Sequence, residues 1–106
     1  MAIWLVKARP RKEKLGELRN RLDSGEIEAM RPFGVALDGG LRNAKLNSED
    51  HFAYWEEEDY CYPPLAQERE AILDKYFDDL VVLEDVKKRG LAWKQIEGLQ
   101  SMWMQQ

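Results

Sequence analysis

The residues best able to do chemistry lie close together, between His51 and Tyr62, in the run HFAYWEEEDYCY. Four consecutive acids, Glu56, Glu57, Glu58 and Asp59, sit at its centre. Carboxylates held close together raise one another's proton affinity, which is what acid/base chemistry needs. Converging carboxylates also hold hard cations. On a regular strand, alternate residues point to opposite faces. Glu56 and Glu58 then share one face, and Glu57 and Asp59 the other. A solvated strand end paired with Arg9, Arg11, Arg31 or Arg42 is the plainer expectation, because charge runs are usually surface. Sequence shows no metal-ligand spacing, so no metal is assigned.

Cys61 is the only cysteine and His51 the only histidine. Cys61 precedes a helix start, where the helix dipole favours thiolate, but the neighbouring acids oppose it. His51 stands at the far end of the same predicted strand, so a Cys/His nucleophile is poorly supported. Tyr54, Tyr60 and Tyr62 can line a pocket, although strand-end aromatics more often serve a core or an interface. If the chain is an enzyme, His51, Glu56, Glu58 and Tyr60 are the first residues to test. If it is a binding module, the partner or ligand surface takes in Glu57, Asp59, Cys61, Tyr62, Arg9 and Arg11.

These residues need elements to position them. Ile3–Val6 is a short apolar run, apolar on both faces, and reads as a central strand. Leu15, Leu18 and Leu22 repeat at helical spacing after Pro10, which predicts a helix over 11–22. Asp23-Ser24-Gly25-Glu26 resembles a capping box that opens a further helical segment, with a restart at Pro32. That segment weakens at Gly39-Gly40. Ala44–Leu46, the turn cluster 47–50 and a strand over 51–59 make a hairpin. Pro63-Pro64 leads into a helix that reaches about Phe77 and is broken by Asp78-Asp79. Leu80–Leu83 is another two-faced apolar strand. Trp93, Ile96, Leu99 and Trp103 predict a C-terminal amphipathic helix.

The order predicts an α+β domain, a ferredoxin-like split βαβ antiparallel sheet over residues 1–106, with an extra helical segment after the first helix and a helix at the C-terminus. Because three strands are apolar on both faces, the sheet face away from the helices needs cover. The C-terminal helix or a second copy of the chain would supply it, which predicts a homodimer through the open sheet face or that helix.

Composition narrows the classes. The chain has 106 residues, 44% hydrophobic and 34% charged, which suits one core without staples. A single thiol suits a reducing, cytoplasmic setting, and no apolar run approaches a membrane span. Residues 1–46 carry ten Lys/Arg and six Asp/Glu, and residues 47–106 carry six and fourteen, giving +4 and −8. A pI near 5.1 and the absence of an aromatic K/R-G-F/Y motif argue against nucleic acid. Lys7, Arg9, Arg11, Lys12 and Lys14 cluster at the first strand-to-helix junction, but no glycine-rich phosphate loop accompanies them. No cofactor motif is present.

RPFG at 31–34 and WEEEDYCYPPLAQER at 55–69 resemble segments of a family of small, uncharacterised bacterial proteins. That resemblance implies no assigned activity and transfers no catalytic residue. The element order is also similar to that of dimeric α/β-barrel proteins, which include cofactor-free monooxygenases and small-ligand binders. It implies, at the level of fold, either a non-enzymatic binding or interaction module or a small cofactor-free enzyme with a pocket between sheet and helices.

Overall fold

The computed structural model describes residues 2–59, 63–85 and 98–104. Its centre is β1 (Ala2–Pro10), which pairs antiparallel with β3 (Phe52–Asp59) on one side and β4 (Phe77–Asp85) on the other. Beyond β3 lie the short strands β2 (Lys45–Asn47) and β5 (Gln100–Ser101), giving one antiparallel sheet in the order β4-β1-β3-β2-β5. The fold is therefore α+β. The expected strand at 3–6 extends to Pro10 and is central, as its apolar faces require.

A 3-10 turn (Lys12–Lys14) leads into α1 (Leu15–Asp23), whose Leu18 and Leu22 are fully buried. The predicted helical start at Asp23 is instead a series of turns. There Ser24 Oγ accepts the Glu26 N–H at 3.3 Å, a bond local to the turn. The next helix, α2 (Gly34–Arg42), runs through Gly39-Gly40 rather than fading there. Packing outweighs propensity. A Cβ on Gly40 would lie 2.9 Å from Trp55 Cδ1 and 3.0 Å from the Glu56 carbonyl oxygen. The missing side chain lets α2 lie against β3, where β3 has run past the end of β2.

The helical run 66–76 consists of α3 (Ala66–Glu68), a π-helical turn (Arg69–Leu73) and α4 (Asp74–Tyr76). Asp78-Asp79 do not form the expected break before the strand; they belong to β4. Arg11 and Arg9 reach across from β1 to neutralise them, at 2.7 Å to Asp78 and 2.6 Å to Asp79. Of the predicted C-terminal helix, marked by Trp93, Ile96, Leu99 and Trp103, the first part up to residue 97 lies outside the described residues. Of its end, Gln100–Ser101 is strand and Met102–Met104 a 3-10 turn, so no helix reaches Trp103. The Met102 N–H bonds to the Ala44 carbonyl at 2.9 Å, and Met102 is buried in the core.

The core fills the space between the helices and one face of the sheet. Ala8, Val6, Ala53 and Trp55 line that face, packed against Leu18, Leu22, Leu37, Leu41, Ile72, Leu73 and Tyr76. Trp55 and Phe77 stack at 5.1 Å between ring centroids.

Candidate functional site

Register decides where the four acids go. Val6 pairs with Trp55 and Ala8 with Ala53, so those four residues face the helices. By alternation Glu57 and Asp59 follow them inward, while Glu56 and Glu58 follow Phe52 and Tyr54 to the far face. Burial agrees: Glu57 is 1% exposed and Asp59 5%. The two pairs on opposite faces are as expected; the solvated end holds for Glu58 alone, since Glu56 is half-buried with its Oε2 out of water. Three of the four anticipated arginine partners are used elsewhere: Arg9 and Arg11 on Asp79 and Asp78, and Arg42 on Asp38 at 2.7 Å.

A third acid joins the inward pair. Glu68, at the end of α3, is fully buried, and its carboxyl interacts electrostatically with Glu57 and Asp59. Glu57 Oε1 accepts the Trp55 indole N–H at 3.0 Å. Asp59 Oδ2 accepts the Leu65 backbone N–H at 2.7 Å. That bond holds Leu65 in the left-handed region, φ 63 and ψ 18. Such a conformation costs a non-glycine residue roughly 1–2 kcal/mol. Burial of the Leu65 side chain offsets it. The helical run that follows contains the π-turn, a feature frequent at functional sites.

Two carboxyl groups close together and out of water resist ionising together. Burial pushes Glu57 well above the usual carboxylate range, and its interaction with Glu68 adds to the shift. Burial also raises Glu68. The cluster thus holds protons where exposed acids have lost them. Asp59 lines a groove of about 290 Å³ that includes Pro32, Phe33, Val35, Glu58 and Gln67. Behind the Asp59 wall stand Glu68 and then Glu57, so a chain of carboxyls runs from groove to interior. A neighbouring groove of about 420 Å³ is lined by Ile3, Gly39, Gly40, Asn43, Glu56 and Glu58. Among the described residues, no group of three or more His, Cys, Asp or Glu is arranged to hold a metal ion.

The remaining candidates are scattered. His51 is exposed in the β2–β3 turn with φ 63, its N–H bonded to the Asn47 carbonyl at 2.8 Å. At about 3.4 Å per strand residue it stands roughly 17 Å or more from Glu56 and Glu58, so it shares no site with them. Tyr60, Cys61 and Tyr62 lie outside the described residues. Tyr54 donates to Asp50 at 2.8 Å, and burial together with that bond pushes its phenol up to about 12. Arg9 and Arg11 are surface residues tied to β4. Sequence reasoning missed Glu68. Its spacing from Leu65 and Ile72 was the available signal: an acid on the apolar stripe of a helix.

Among the described residues, no helix is long and apolar enough to cross a membrane. No protein-family model, no curated protein and no solved structure matches the chain.

Proposed function

We propose that the chain is a non-enzymatic binding or interaction module that works as a homodimer. Its fold is read as the ferredoxin-like split βαβ type, with β5 added beyond β2. The pairing of β1 with both β3 and β4 supports that reading, and so does the helical cover on one sheet face.

The far face of the sheet carries the dimer reading. Val81 and Leu83 of β4 are each 47% exposed. Phe52 and Tyr54 lie half-covered, with Lys7 4.4 Å above the Phe52 ring and Arg9 4.7 Å from its centroid. Charge runs along this face: Arg9 and Lys7 stand beside Phe52 and Tyr54, and Glu56 and Glu58 lie towards the other end. Consider a two-fold axis in the interface, crossing the strands between the Lys7/Tyr54 row and the Leu5/Glu56 row. It brings Lys7 of each copy towards Glu56 of the other and covers Val81, Leu83, Phe52 and Tyr54, Leu5 on the same face being buried within a single chain already. Sedimentation velocity across a concentration series tests this. A dimer is expected, with K7E and E56K each weakening it and the double exchange restoring it. A concentration-independent monomer overturns the reading.

The carboxyl chain favours a second reading, a small cofactor-free enzyme using Asp59 at the groove wall as a proton-transfer group backed by Glu68 and Glu57. Native mass spectrometry of protein purified under mild conditions tests it. A retained small molecule that is lost in D59N supports the enzyme; identical spectra for both proteins count against it.

A further inference from the structure

A further groove lies away from the acids. It is an opening of about 760 Å³ between the first turns of α1 and the C-terminal turn. Leu15, Leu46, Met102 and the Trp103 ring form its apolar part, and Lys12 and Arg19 its charged part. Among the described residues, no carboxylate lines it, in a chain whose net charge is −4. We propose that this groove binds a small amphipathic carboxylate, its apolar body against Leu15 and the Trp103 ring, above the buried Leu46 and Met102, and its head group between Lys12 and Arg19.

The site is built before any ligand arrives. The Trp103 indole N–H donates to the Leu41 carbonyl at 2.8 Å, and its backbone N–H donates to Ser101 Oγ at 3.2 Å. Those two bonds fix the orientation of the ring, so little entropy is lost there when the groove is filled. The Arg19 guanidinium sits 5.3 Å from the ring and is held by Asp23 through Nε at 3.2 Å. Lys12 is exposed and makes no ion pair among the described residues. Added atoms at Gly16 would meet nothing within 4 Å, so the α1 side of the groove is open. An apolar floor with a few placed polar groups is the usual make-up of a small-ligand site. Arg19 shares its charge with Asp23, and Lys12 adds a cation that makes no ion pair among the described residues, so the local charge favours an anionic head. The planar guanidinium favours a carboxylate, which it can bind with two parallel bonds.

Octanoate and 1-octanol are the matched probes, one charged and one neutral, titrated into the full chain by calorimetry and by amide and indole NMR shifts. Octanoate is expected to saturate below about 1 mM. The shifts should centre on Leu15, Gly16, Leu46 and the Trp103 indole N–H. Octanol should bind at least about tenfold more weakly, and K12Q and R19Q should each cost octanoate several-fold and together about tenfold or more. The downfield indole signal bonded to Leu41 reports that each variant remains folded, and K12Q alone suffices if R19Q does not. Non-saturating octanoate, octanol binding as tight as octanoate, or binding indifferent to K12Q overturns the proposal. The dimer reading rests on a different face, and sedimentation of the same samples scores it separately.

Discussion

Glu57 and Glu58 are the same residue type joined by one peptide bond, yet the fold treats them as opposites. Glu58 is exposed on the far face, and Glu57 is sealed behind the sheet against Trp55 and Glu68. The difference comes from register alone. Once Val6 and Trp55 pair and face the helices, every second residue of β3 must follow, acid or not. Chain geometry thus forces a carboxyl inside, and the interior answers with an indole donor and two further acids. A buried polar group with partners is tolerable; one stripped of them is not.

The largest effect should come from taking Glu57 away. E57A strands the Trp55 indole N–H and leaves a cavity, and should lose about 2–4 kcal/mol in urea unfolding. E57Q keeps the volume and an acceptor for the indole, so it should cost far less.

Next comes the dependence on pH. Glu57 and Glu68 are both raised, so the folded chain holds protons that the unfolded chain releases above the ordinary value of 4.5. Their contribution is complete below that value and is lost as pH rises towards the folded values, by about 1.4 kcal/mol per pH unit for each retained proton. On the acid side, Tyr76 and Lys75 hold Glu17 below its usual range, and Arg11 does the same for Asp78. Those small contributions, from exposed groups, disappear as pH falls below about 4. Stability should therefore peak near pH 4–5 and decline above it, and E57Q should flatten the alkaline limb. Thermal unfolding from pH 3 to 9 measures both.

A third contrast lies in α2. G40A pushes a methyl group into Trp55 and the Glu56 carbonyl and should cost about 1–3 kcal/mol. At Gly39 an added Cβ meets nothing within 4 Å, so G39A should gain up to about 1 kcal/mol. E58Q should be the smallest change, within about 0.5 kcal/mol.

Much of the fold was legible because it rests on local pattern. Helical spacing of Leu15, Leu18 and Leu22 marked α1, and the apolar run Phe52–Trp55 after a polar turn cluster marked β3. The splitting of the acids into two faces followed from the alternation of any regular strand. Which face turned inward did not. Phe52/Tyr54 and Ala53/Trp55 are both apolar, and both acid pairs carry the same charge, so neither pattern breaks the tie. Long-range register with β1 does. Asp78-Asp79 misread as a helix break because their neutralising partners, Arg9 and Arg11, lie nearly 70 positions away. Gly39-Gly40 misread as weakness because closeness to Trp55 is a tertiary fact. The two-faced apolar strands led correctly to an apolar Val81 and Leu83 on the far face, whereas its aromatic end is partly covered by Lys7 and Arg9 from the adjacent strand.

The claim on which most depends is that Glu57 keeps its proton in the folded state. Carbon-detected NMR of the side-chain carboxyls, followed from pH 3 to 9, observes it directly. The Glu57 carboxyl carbon should pass through the ordinary glutamate range without moving and titrate well above it, together with Glu68. A Glu57 carboxyl that titrates near 4.5 would mean that water reaches it and that the inward face of β3 has been assigned to the wrong acids.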